Sequence, residues 1–156
     1  MKYLQLKCPP PIVMIISIFI SFIASQRDLG FIQQQIADIN NVMWPLAFVL
    51  IGAGIAVAGV KEFISHHTTL NPLDPYKSTS LVVTGIYQFT RNPMYLGMLL
   101  VLLGCGDFLD TLLAYSGALF FFAYMSAFQI KPEEDIMLEK FGDSFSHYCR
   151  SVRRWL

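Results

Sequence analysis

Two short polar stretches hold the residues best suited to chemistry. In the first, Arg91-Asn92-Pro93 stands directly before an apolar run. Asn is a preferred N-cap, and Pro sits well in a first helical turn because it lacks the N–H that would go unpaired there. The pair predicts a helix start at Pro93, whose unpaired N–H groups and partial positive charge suit a carboxylate or another anionic group. Gly97, one turn on, removes a side chain where a ligand or a neighbouring helix can come close. In the second stretch, Pro132 again stands at a predicted helix start, followed by Glu133, Glu134 and Asp135. Acidic residues in a first turn complement the helix dipole, but three beside a membrane are costly unless they face water, a cation or basic partners. Arg91 is open to more than one reading: an anchor at the membrane surface, or a partner for Glu133 or Glu134.

Other constellations carry less. His66, His67 and His147 form no ligand spacing with a carboxylate pair, and adjacent histidines point apart on a helix, so no metal site is expected. Cys8, Cys105 and Cys149 are odd in number and lack a CxxC spacing, which argues against a disulfide framework or a zinc knuckle. No P-loop, GxGxxG or GxSxG is present, removing the usual soluble nucleotide and hydrolase readings.

The elements that must position these residues are apolar. Of 156 residues, 54% are hydrophobic and only 14% charged, more apolar side chain than a core this small can hide, so lipid is the expected solvent. The formal net charge is zero, so nothing points to nucleic acid. Using the charges as punctuation, four apolar segments emerge at 11–24, 43–60, 94–106 and 111–130. The second and fourth, about 27 and 30 Å long as helices, match a hydrocarbon core; the first and third are short. Gly104, Gly106, Asp107 and Asp110 form a polar break that predicts a hairpin of the third and fourth segments. Gly52, Gly54 and Gly59 lie within the second and read as close-packing positions.

The first segment also fits a cleavable signal peptide, but Pro9, Pro10 and Pro11 suit the edge of a retained helix better. Between the first two segments, Leu29, Ile32, Ile36 and Ile39 recur at helical spacing and predict an interfacial amphipathic helix. If all four segments span, Lys2, Lys7, Lys61, Lys77, Arg91, Lys131, Lys140, Arg150, Arg153 and Arg154 share one face, and only Arg27 lies on the other. The positive-inside rule then puts both termini and both polar stretches in the cytoplasm. Beyond Pro132, 133–140 reads as a short amphipathic helix stopped by Gly142. A second helix then carries Phe145, Tyr148 and Val152, and the two can fold as a lid; the basic aromatic tail equally fits membrane-surface anchoring.

The order TGIYQFTRNPMYLG, a hydrophobic hairpin, then PEEDIMLEKFGDSFSHYCRSVRRW resembles the isoprenylcysteine carboxyl methyltransferase family of integral membrane enzymes. The small prokaryotic members are the most similar, and their pattern also includes TTLNPLDP, here at 68–75. The resemblance covers roughly 68–155, with the first two spans matching only in layout. It implies an all-α, four-span domain over 1–156, with two spans in 1–60 and the cofactor-binding part in 61–156, in a prokaryotic inner or plasma membrane. S-adenosylmethionine is the implied methyl donor, leaving S-adenosylhomocysteine, in a cytoplasmic pocket closed by the C-terminal helices and open sideways to lipid.

By position, Thr79, Ser80, Leu81, Val82, Tyr87, Asn92, Pro93, Met94, Tyr95 and Glu133 fall on the family's cofactor contacts. Two departures matter. Eukaryotic members carry His where this chain has Asn92. Their arginine four residues before the cofactor-binding glutamate, which meets the substrate carboxylate, corresponds here to Gln129. Gln129 and Arg91 are therefore the substrate-side candidates, with Arg91 or Lys131 able to supply the missing cation, and a neutral amide suggests a different acceptor. The expected reaction is methyl transfer to a lipidic or amphipathic acceptor, a carboxylate among the candidates, reached from the membrane lipids. The alternative is a non-catalytic membrane scaffold in which Arg91 and Glu133 pair to fix the hairpin.

Overall fold

The structure, a computed structural model, describes residues 5–27, 40–66 and 75–156. The predicted amphipathic helix between the first two segments and the TTLNPLDP motif lie largely outside them. Among the described residues, five α-helices follow in order: α1 (Pro10–Ser25), α2 (Asn40–Ser65), α3 (Pro93–Phe108), α4 (Ser116–Tyr124) and α5 (Lys131–Ser151). Short 3-10 turns at Pro75–Lys77, Gly85–Gln88 and Leu112–Tyr115 lie between them, and a π-helical turn, Met125–Ile130, joins α4 to α5. No strand occurs among the described residues, as the all-α expectation requires.

Length separates the helices. Val42–Ser65 and the continuous run Leu112–Ser151 are long and apolar enough to cross a membrane. The second, 40 residues and about 60 Å, is twice the thickness of a hydrocarbon core, so its apolar first half, up to Ile130, is by itself long enough for one crossing. At 16 residues each, α1 and α3 reach about 24 Å and fall short of a full crossing.

Glycines bring α2 and α3 into contact along their length. A Cβ on Gly52 would meet the Gly97 carbonyl oxygen at 2.5 Å, and one on Gly97 would run into the Gly52 carbonyl in turn. One heptad away in each direction, Gly59 faces the Pro93 ring at 3.0 Å and Gly104 faces the Pro45 carbonyl at 2.8 Å. This is the small-residue packing expected where lipid supplies no hydrophobic drive between helices. Gly54 departs from the expectation, since a Cβ there meets nothing within 4 Å. The third segment is joined to the fourth through the predicted break, where Asp110 has φ 49°, but its most extensive packing is against α2.

On the other side, α1 buries Ser17, Ser21 and Ser25 against α4, where Gly117 leaves room for the Ser17 carbonyl. Val13, Tyr95, Leu102, Ala118, Phe121, Met125 and Ile130 fill the core between α1, α3 and the α4 run. Pro132 does not begin a separate helix as predicted, because the chain enters it already helical through the π turn. The Phe128 carbonyl, four residues earlier and so denied the Pro132 donor, accepts from the Leu6 N–H at 3.1 Å. Gly142 does interrupt α5, at φ 51° and ψ −123°, a conformation left to glycine. After it, Phe145, Tyr148 and Val152 close on Val82 and Tyr87 to form a second core, the predicted lid.

Candidate functional site

The N-terminus of α3 and the start of α5 meet at two adjacent carboxylates with opposite surroundings. Glu134 is neutralised: its Oε1 accepts from Arg91 at 2.6 Å, and its Oε2 from Arg154 at 2.5 Å. Glu133 meets only neutral donors. The Tyr95 hydroxyl and the Gln129 amide each donate to its Oε1 at 2.7 Å, and neither goes to Oε2. Gln129 and Tyr95 are 1% and 8% exposed, so both donors are held by packing, while Glu133 itself is only half-buried. Burial pushes the Glu133 carboxyl up to about 7, against the pull of its two hydrogen bonds. The site therefore presents a carboxylate whose charge no cation among the described residues cancels.

Arg91 resolves into a clamp. Besides Glu134 it donates to the Val152 carbonyl at 2.6 Å and the Cys149 carbonyl at 3.2 Å, and its backbone N–H donates to the Arg153 carbonyl at 3.0 Å. The ion pair of the scaffold alternative is thus made to Glu134 and not to Glu133, because Glu133 is turned toward Tyr95 and Gln129. Asn92 occupies the N-cap position of α3, but its side chain makes no cap bond; it donates to the Arg154 carbonyl at 2.9 Å. The tail that these groups secure ends on Trp155, which stacks on Phe122 at 5.1 Å and donates to the Ser126 hydroxyl at 3.1 Å. Val152, Arg154 and Trp155 thus dock on protein.

The remaining residues expected at the site divide. Tyr87 is buried in the lid core, its carbonyl accepting from Tyr148 at 2.7 Å, and the Glu133 charge is near enough to add to the burial that raises its phenol. Val82 joins the same core with Leu81 against it. Ser80 donates to the His66 carbonyl at 3.3 Å, and Thr79 is exposed at the same end of α2. Pro93 and Met94 pack toward Gly59 in the contact between α2 and α3, and Met94 also lies against the core that holds Tyr95.

Sequence reasoning missed Glu62. Its carboxylate accepts from Thr84 at 2.8 Å and sits under Gly85, whose φ of 56° and missing side chain admit it. His66 joins the same hydroxyl at 2.8 Å, and Phe63 meets Tyr87 at 5.3 Å. A carboxylate at the last turn of an apolar span was the available signal. An apolar cavity of about 360 Å³, lined by Phe22, Leu46, Val49, Cys105 and Phe108, lies at the opposite end of α3 and contains no polar group. Among the described residues no three His, Cys, Asp or Glu side chains converge as a metal set.

The sequence pattern of the phospholipid methyltransferase family matches residues 41–144, which include Tyr95, Gln129 and Glu133. An uncharacterized protein of Haemophilus influenzae (strain ATCC 51907 / DSM 11121 / KW20 / Rd) is 43% identical over 63 residues, 40% of this chain and 100% of that protein. No solved structure matches.

Proposed function

Since the chain belongs to the phospholipid methyltransferase family, a membrane methyltransferase family, we propose that it uses S-adenosylmethionine to methylate a lipidic or amphipathic acceptor. The observation that supports this reading most is Glu133: a carboxylate oriented by two buried donors and left without a cation among the described residues, beside the rings of Tyr95 and Tyr87. Such a group fits a ligand carrying an amino group, and aromatic faces suit a sulfonium or an adenine. When bound, S-adenosylmethionine supplies an activated methyl carbon.

The protein's part is to hold and shield. Glu133 anchors the amino end, Tyr95 and Gln129 fix Glu133, and the lid core of Val82, Tyr87, Phe145 and Tyr148 keeps water away. Arg91, Glu134 and Arg154 keep the tail closed, which makes Arg91 a structural clamp. In the membrane reading, α1 and α3 complete four spans by local thinning of the bilayer and by the polar flanks at their ends, with both termini on the cytoplasmic face. Incubating the purified protein and a membrane lipid extract with methyl-labelled S-adenosylmethionine tests the proposal. Label in a lipid or amphipathic product, lost in Glu133→Ala, is expected; label transfer unaffected by that substitution sinks it.

A further inference from the structure

Gln129 stands where the resemblance leads one to expect an acceptor-binding arginine, yet its amide reaches Glu133. We propose that Gln129 is a positioning residue for Glu133, holding its carboxylate oriented and ionised for the cationic amino end of the cofactor, and not a contact to the acceptor. The inference rests on the reading of Glu133 as the cofactor anchor.

Three observations carry it. Gln129 is 1% exposed, and the π turn that bears it also buries Met125 and Ile130 completely, so its amide has little freedom to swing toward a ligand. Gln129 and Glu133 stand four residues apart, neighbours on one helix face, and they meet at 2.7 Å. Its donor goes to the oxygen that Tyr95 also holds, so the two fix one edge of the carboxylate and neither takes the other edge. An amide does this without contributing charge. An arginine bonded to the same oxygen would neutralise Glu133 as Arg91 and Arg154 neutralise Glu134, and the attraction for a cationic ligand group would fall.

Removing the Gln129 donor takes away one of two hydrogen bonds that favour the ionised carboxylate, so Glu133 holds its proton to higher pH. The test is calorimetric titration of the detergent-solubilised full chain with S-adenosylhomocysteine, at pH 6.5 and pH 8.5. For Gln129→Met, close in length and without a donor, binding is expected to weaken about ten-fold at pH 6.5 and less than about three-fold at pH 8.5. Gln129→Asn, polar but too short to reach Oε1, must show the same split, which covers the case of Gln129→Met failing to fold. Affinity within two-fold of wild type at both pH values, or an equal loss at both, overturns the proposal. If wild type does not bind, or Glu133→Ala leaves binding unchanged, the reading of the site falls first and this inference with it.

Discussion

Removing Glu134 should loosen the tail without touching the candidate cofactor anchor. Its carboxylate takes three hydrogen bonds, one from Arg91 at 2.6 Å and two from Arg154 at 2.5 and 3.2 Å. The side chains of Arg91, Glu134 and Arg154 are 12%, 18% and 37% exposed. The Arg154 contact is therefore screened and contributes about 1 kcal/mol or less. The Arg91 contact is largely desolvated, and stranding one member of a buried pair costs about 3–5 kcal/mol. Arg91 keeps the Val152 and Cys149 carbonyls, which softens that loss. For Glu134→Ala we expect destabilisation of roughly 2–4 kcal/mol. Thermal unfolding in detergent reads it, together with faster proteolysis after Cys149. A double-mutant cycle with Arg91→Ala should give a coupling of about 1–3 kcal/mol. A Glu134→Ala protein within about 0.5 kcal/mol of wild type, or a cycle without coupling, would refute the clamp.

Two further outcomes follow from the packing and the charges. Gly97→Ala drives a Cβ into the Gly52 carbonyl and to 2.8 Å from the Ala56 Cβ, where the backbone cannot yield, so it should cost about 2–4 kcal/mol in detergent unfolding. Gly54→Ala meets nothing within 4 Å and should be neutral or slightly stabilising by helix propensity; equal effects at the two positions would contradict the packing. Glu133, raised to about 7 from an ordinary value of 4.5, binds its proton more tightly in the folded state. Its contribution to stability is complete below about pH 4.5 and is lost as pH rises through 7, up to about 3 kcal/mol. Glu133→Gln should remove that part of the pH dependence, so that its stability gains on wild type between about pH 4.5 and 7 and stays level above; parallel curves would count against the raised carboxyl.

Much of this architecture is legible in the sequence because lipid solvent imposes long apolar runs, and glycines at 52, 59 and 97 mark where helices touch, whereas Gly104, read as part of the break, lies inside α3 against Pro45. Pro93 and Gly142 act as read, one starting α3 and the other breaking α5, because each expresses a backbone constraint local to the residue. What sequence could not assign were pairings across space. Arg91 lies 43 residues from Glu134 and the choice between Glu133 and Glu134 turns on helical register, which the π turn at Met125–Ile130 changes with no local sequence mark. The same register turns Gln129 inward to Glu133. Asn92 has the N-cap position without the cap, since the tail carbonyl of Arg154 competes for its amide. Glu62 went unnoticed because its partners, Thr84 and Gly85, reach it only after the loop folds back on α2.

The central claim is that Glu133 anchors a cationic cofactor in a site that Glu134 merely holds shut. Calorimetric titration with S-adenosylhomocysteine near pH 8, for wild type, Glu133→Gln and Glu134→Gln, tests it most directly. Wild type should show saturable one-to-one binding, Glu133→Gln a loss of at least about ten-fold, and Glu134→Gln a smaller loss at temperatures where it remains folded. No binding by folded wild-type protein, or a Glu133→Gln protein that binds as tightly as wild type, would contradict it.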